Sequence, residues 1–360
     1  MLKSFRYLLF PIALLYRWVI WLRNKLFDHN ILKSASFNFP LIGVGNLAVG
    51  GTGKTPMTEL IVEHLKKDYS VATLSRGYKR RTKGFAIANE HTTALDIGDE
   101  PMQFHRKFPD ITVAVGEERI VAIPQILHQK PDTEVIILDD AFQHRTVRAG
   151  FNIILTDYQN LYTRDLMFPS GDLRDVKSSS KRADFIIITK CKPDLSIEEQ
   201  RKLAREINPL QHQRVFFTTI LYGNPYHLFN PHQWHLSNAD NVLLICGIAN
   251  PKPIKEFLNQ HTGYFEVIQY ADHHIFSTAN LDEIITRFNR MTGAKKIILT
   301  TEKDAVRLEK FKSELFDYPI YVLPVKHDFL FGESVVFFKT LKTFIEGFPI
   351  NSHQMATLTK

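Results

Sequence analysis

The chain has little cysteine: two thiols, Cys191 and Cys246, in 360 residues. They offer neither metal-ligand spacing nor a disulfide framework, so a stapled scaffold is excluded and a reducing compartment is the economical reading. Internal repeats and low-complexity tracts are lacking, which excludes a repeat architecture. No apolar run reaches the roughly 20 residues of a spanning helix. The longest, Tyr7 to Leu22, is interrupted by Arg17. A small-residue cleavage site is lacking too: Trp21, Leu22, Arg23 and Asn24 follow instead, so a signal peptide is not expected. Neither sign of charge dominates. Lys plus Arg number 45 against 38 Asp plus Glu, a net +7. That mild excess fits phosphate ligands, nucleic acid or an anionic membrane without choosing among them. Apolar content is 44% and charged content 23%, enough to bury a sizeable core and exclude wholesale disorder.

What is present begins with residues 1–28. Pro11 suits the first turn of a helix running to about Phe27. Trp18 and Trp21 beside Arg17, Arg23 and Lys25 read as a membrane-interfacial helix, apolar on one side and cationic at its edges. The plainer alternative is a helix packed on the following domain.

Beyond it, apolar strands alternate with helical patterns. Runs such as Val135–Leu138 and Phe185–Ile188 are continuously apolar, as in a parallel sheet covered on both faces. The expected class is α/β: a P-loop NTPase-like, mostly parallel sheet flanked by helices, with a second, smaller α/β domain. The expected boundaries are 29–223 for the first domain, 224–236 for a linker rich in proline, asparagine and aromatics, 237–327 for the smaller domain, and 328–360 for a C-terminal helix and frayed tail.

The strand FPLIGVGNLAV runs into Ala48-Val49-Gly50-Gly51-Thr52-Gly53-Lys54-Thr55, and an amphipathic helix follows at once. This is the Walker A pattern with alanine at its first position. Val49, Gly50, Gly51, Thr52, Gly53, Lys54 and Thr55 are the expected ATP-binding residues. Backbone N–H groups would face phosphate oxygens, with the helix dipole behind them. Lys54 would neutralise phosphate charge and the Thr55 hydroxyl would ligate Mg²⁺. VIILDD supplies Walker B acids, Asp139 and Asp140, for the same ion. Thr189 and Lys190 open a guanine-reading pattern, but Lys192 stands where its acid belongs, which favours ATP.

The acceptor is less legible. Asp99, before Pro101 at a helix start, is a general-base candidate or a plain N-cap. His273 and His274 in ADHHIF either tune a carboxylate or are ordinary histidines. TTEKDAVRL reads as a solvated helix start. FPSGDLRD places Arg174 and Asp175 after a glycine turn, suited to phosphate and metal.

In sequence order, GNLAVGGTGKTP, LSRGY, GDEP, ILDDAFQHR, PSGDLR, GIANP, DHH and TEKDAV span roughly residues 40–305. Together they resemble the tetraacyldisaccharide 4′-kinase family, the lipid A kinases of Gram-negative bacteria. The resemblance implies transfer of the ATP γ-phosphate to the 4′-hydroxyl of a tetraacyldisaccharide 1-phosphate, giving lipid IVA at the cytoplasmic face of the inner membrane. It implies no nucleic acid and no obligate protein partner, and a second domain that closes over ATP and sugar. By motif it implies Asp99 as base, supported by His273, with Lys54 on the phosphates. Asp139, Asp140 and Asp175 would be metal acids, and Arg119 and Arg174 would contact substrate. This chain reads SGDLRD where the family more often has AGPLRE, so Asp175 stands for a glutamate.

A kinase of a soluble small molecule remains an alternative, as does a motor or assembly ATPase.

Overall fold

The computed structural model describes residues 6–349. The frayed tail expected at the C-terminus lies outside the described residues. The chain divides into two compact units, residues 1–220 with 327–360, and residues 221–326.

The larger unit opens with α1 (Phe10–Asp28). Then come β1 (Leu41–Asn46), α2 (Lys54–Leu65), β2 (Val71–Ser75), α3 (Asp99–Lys107), β3 (Thr112–Val115), α4 (Arg119–Gln129) and β4 (Val135–Leu138). They are followed by β5 (Phe151–Asp157), β6 (Phe185–Thr189), α5 (Ile197–Ile207) and β7 (Arg214–Tyr222). Strands run parallel in the order β7-β6-β5-β1-β4-β2-β3, with a short antiparallel strand, Ala86–Ile87, at the edge. The apolar runs form these strands because both faces are covered: Ile42, Val44, Ile153, Ile154, Ile186 and Ile187 are wholly buried. Each such side chain contributes about 1.5–3 kcal/mol of burial. The chain works outward from β1 in one direction through β2 and β3, then in the other through β5, β6 and β7. β1 therefore borders the topological switch point where such sheets bind ligands, beyond the carboxyl ends of the strands.

The smaller unit has β8 (Asn241–Cys246), α6 (Lys252–His261), β9 (Tyr264–Gln269), α7 (Thr278–Arg290), β10 (Lys296–Thr301), α8 (Glu302–Leu308) and β11 (Ile320–Leu323). Its parallel order is β9-β8-β10-β11, extended by an antiparallel pair of residues, Tyr226–His227. The chain returns through β12 (Val325–Phe329) to α9 (Ser334–Glu346). Within the larger unit, Phe337 of α9 packs against Phe185 and Phe216, ring centroids 5.1 and 5.3 Å apart.

Two expectations need correction, and an open one is decided. Residues 224–236 are not a free linker, because Tyr226 and His227 pair with β11 and Trp234 bonds Asp240. Helix α9 supplies core to the larger unit, so of the two domains it packs on the first. The start of α8 is no solvated face: Glu302, Asp304 and Arg307 are buried, and Asp304 accepts from Thr301 and Arg307.

Helix α1 is docked along one side only. Ala13, Asn24 and Phe27 are buried, whereas Leu15 and Trp18, and Leu8 in the turn that precedes the helix, are 64%, 56% and 70% exposed. No helix among the described residues is long and apolar enough to cross a membrane.

Candidate active site

β1 delivers the chain into the glycine turn. Gly50 and Gly53 take φ of +106° and +86°, values that a side chain at Cβ disfavours. A Cβ at Gly50 or Gly51 would meet nothing within 4 Å, so both border open space. The Val49 amide donates to the Asp172 carbonyl and the Thr52 amide to Gly50. Among the described residues, the amides of Gly50, Gly51, Gly53, Lys54 and Thr55 have no protein acceptor. Those orphaned donors, at a helix N-terminus, are an anion cradle. The outer side of the turn is tied to the protein. Thr189 Oγ1 donates to the Thr52 carbonyl at 2.8 Å, Asn46 Nδ2 to Thr52 Oγ1 at 2.9 Å, and His327 Nε2 to the Gly53 carbonyl at 2.9 Å.

β4 lies beside β1 and ends at the acid pair. Lys54 Nζ lies 3.7 Å from Asp140 Oδ1. Arg174 forks onto both Asp140 oxygens and reaches Asn46 Oδ1. Burial opposes ionisation of Asp140, yet Lys54, Arg174 and Arg119 outweigh it and hold the carboxyl below its ordinary value. Asp139 differs. It is 7% exposed, with only long contacts to Thr58 Oγ1 (3.4 Å) and Ser75 Oγ (3.5 Å). Burial, then the neighbouring Asp140, pushes its carboxyl up to about 6.

Arg119, expected to contact substrate, is 2% exposed and donates to the Asp139 and Asp140 carbonyls. Burial lowers its guanidinium to about 10. It braces the acid turn through Nη2, and its Nε and Nη1 are buried without a partner among the described residues. Asp175 is the other correction. Its carboxylate is taken up by Asn24 Nδ2 (2.8 Å), Ser179 Oγ (2.8 Å), its neighbour's amide and Arg182 (3.1 Å). It anchors α1. No group of three or more His, Cys, Asp or Glu able to hold a metal occurs among the described residues.

Asp99 is the first residue of α3, and Gly98 occupies the cap position, so Asp99 is not an N-cap. Gln103 and Lys107 of α3 both bond the buried Glu59 of α2, each at 2.7 Å, which docks α3 on the helix behind the turn. Glu100 is close enough to Asp139 to raise its carboxyl. His273 belongs to the smaller unit, where it takes φ +61° and lies 3.0 Å from Lys303 Nζ and 3.1 Å from Arg307 Nη2.

Sequence reasoning missed Asn46, Thr58, Ser75 and His327. His144, within the motif FQHR, was given no role. It sits 3.5 Å from Arg76, and burial with the nearby Arg119 and Arg76 lowers its ring to about 4. Thr189 carried a signal, but one read for base choice and not for its bond to the turn.

Orphaned amides at a switch point, with a lysine and an acid pair beside them, receive the polyphosphate of a nucleotide. Fold and site together define a P-loop nucleotide-binding protein. More particularly, the chain belongs to the tetraacyldisaccharide-1-P 4′-kinase family, whose pattern it matches over residues 5–345. It is 44% identical to the tetraacyldisaccharide 4′-kinase of Flavobacterium johnsoniae, over 92% of this chain and 96% of that one. It is 40% identical to that of Phocaeicola vulgatus, over 96% of each. The solved "apo" form of LpxK from Aquifex aeolicus, in complex with ATP, superposes with a TM-score of 0.73. That chain is 27% identical, with 96% of this chain and 99% of the other covered.

Proposed function

We infer that the chain is an ATP-dependent kinase that phosphorylates the 4′-hydroxyl of a tetraacyldisaccharide 1-phosphate, forming lipid IVA in lipid A biosynthesis. The observation that carries this is the orphaned amide turn with Lys54 3.7 Å from Asp140, in a member of this family.

Phosphoryl transfer asks for positioning and charge neutralisation more than for covalent catalysis. The free amides of residues 50–55 and the Lys54 ammonium bind and orient the triphosphate. The 4′-oxygen forms a bond to the γ-phosphorus as the β–γ bridging bond breaks, and ADP leaves with that oxygen. Asp99, the first residue of α3, takes the hydroxyl proton. His273, in the smaller unit, is the second residue we propose for catalysis. Arg174 orients Asp140 and offers charge near the phosphates.

Thr55, Asp139 and Asp140 carry hard oxygen donors of the kind Mg²⁺ takes; Asp139 is a buried carboxyl with no ion pair among the described residues, whereas both Asp140 oxygens accept from Arg174 and would have to be shared with the ion. A bound Mg²⁺ would neutralise charge on the phosphate oxygens. With so few protein ligands it would complete its shell from phosphate and water, as Mg²⁺ usually does. The exposed apolar side of α1, edged by Arg17 and Lys25, suits the membrane interface in which the acyl chains of the substrate lie. The cytoplasmic face of the inner membrane is the corresponding location.

The test uses ATP labelled at the γ-phosphate with the disaccharide lipid in mixed micelles. The expected result is label in the lipid and one ADP per product. Hydrolysis without labelled lipid, stimulated by protein or nucleic acid, would indicate a motor. Transfer to a soluble acceptor that survives loss of α1 would indicate a soluble-substrate kinase.

A further inference from the structure

Peptide units are planar and trans, so a carbonyl and the N–H of the next residue point in opposite directions. The direction of each amide in the glycine turn is therefore set by whatever holds the preceding carbonyl. The Thr52 carbonyl is held by Thr189 Oγ1, which aims the Gly53 N–H the other way. The Gly53 carbonyl is held by His327 Nε2, which does the same for the Lys54 N–H. Met57 N–H also reaches that carbonyl within the helix, and His327 takes its remaining side.

His327 is built for this. It lies on β12, 274 residues from the turn, and is 2% exposed. A carbonyl only accepts, so Nε2 must carry the proton. Nδ1 then accepts from the Thr218 hydroxyl at 2.9 Å, which fixes the tautomer. Burial keeps the ring neutral, with its titration lowered to about 4. The fit is close: a Cβ on Gly53 would meet Nε2 at 2.7 Å.

We propose that His327 is a positioning residue for ATP, holding the Gly53 carbonyl so that the Lys54 amide faces the phosphates. It touches no substrate. Without it, the amide-inward form of the turn is one of several, and apparent affinity falls by the fraction lost.

The inference rests on the phosphate-loop reading, and the test separates the two. ATP affinity and kcat are measured for the full chain and for His327→Phe, His327→Gln, Thr218→Val and Lys54→Ala. Phenylalanine fills the space without a donor, whereas the glutamine amide can donate in place of Nε2. For His327→Phe the expected result is ATP affinity weakened about fivefold to tenfold, the scale of one lost hydrogen bond, with kcat at saturating ATP changed less than about threefold. Gln should recover most of the affinity, and Thr218→Val should lose less than Phe.

ATP affinity within twofold of the parent in His327→Phe would overturn the proposal. So would a folded His327→Gln as weak as Phe, which would mean that space and not the donor matters. Normal ATP affinity in Lys54→Ala would remove the phosphate-loop reading, and the proposal with it. Should the variants fail to fold, long-range ¹H–¹⁵N spectra of the imidazoles in the parent protein decide. A His327 ring protonated at Nε2 alone is expected, and an Nδ1–H tautomer would sink the assignment.

Discussion

Each unit places a glycine-bearing turn between a central parallel strand and the helix that follows, yet only the smaller unit brings side-chain acceptors to the turn's amides. In the larger unit the amides from Gly50 to Thr55, apart from Thr52, have no protein acceptor among the described residues. In the smaller unit, the Gly247 amide donates to Asp304 Oδ2 at 2.8 Å, and the Lys252 amide donates to Asn250 Oδ1 at 3.2 Å. The same strand–turn–helix is left without side-chain acceptors in one case and partly occupied by them in the other, where the amides of Ile248, Ala249 and Asn250 have none among the described residues. What decides is whether the chain brings its own anion to the turn. Asp304, fully buried, stands where a phosphate would have to be admitted.

That contrast can be broken experimentally. The largest effect is expected for Lys54→Ala, which should bring phosphoryl transfer below detection, a loss beyond about 10³-fold, measured with labelled ATP. Asp99→Ala should lower kcat about 10²–10⁴-fold while ATP affinity, by equilibrium binding, hardly moves. Unchanged kcat would remove Asp99 from the proton transfer.

Asp139 gives a pH dependence. Its carboxyl titrates near 6, and only the ionised form serves a divalent ion. Between pH 7 and pH 5 the ionised fraction falls about tenfold, so the Mg²⁺ needed for half-maximal rate should rise about tenfold. A flat Mg²⁺ requirement would remove Asp139 as a ligand. In the ligand-free protein the sign reverses. The unfolded carboxyl releases its proton first, so this group's contribution to folding declines as pH climbs from about 4 to about 6.

Asp304→Asn should destabilise the smaller unit by about 1–3 kcal/mol, read from hydrogen exchange of the β8 amides. The smallest effect is expected for Lys252→Ala, at the helix start that answers to Lys54. Its side chain is 79% exposed, and transfer should stay within about twofold. A large loss there would mean that the smaller unit's turn also receives charge.

Much of this was legible in the sequence for local reasons. Continuous apolar runs mark buried parallel strands, and the glycine turn, its lysine and the acid pair are each written within a few consecutive residues. What could not be read depends on distant partners. Asp175 looks like a metal acid until Asn24, 151 residues earlier, is seen to occupy it. Arg119 looks like a substrate contact until α4 carries it under the acid turn. Tyr226 and His227 lie among prolines and aromatics and become a strand only because β11 offers an edge. His327 carries no motif at all, and its role comes from a fold that returns the chain to the turn after the whole smaller unit has been made.

The seating of α1 has a practical corollary. Tyr16 donates to the Arg174 carbonyl, Asn24 to Asp175, and Arg23 to the Gln143 carbonyl. Arg145 reaches back to the Asn24 carbonyl and Asp28. The greasy end of the chain is thus riveted to both segments that frame the acid pair. Replacing the exposed Leu15 and Trp18 with polar side chains should leave the site intact, whereas amputating the helix would loosen Arg174 and Gln143 together.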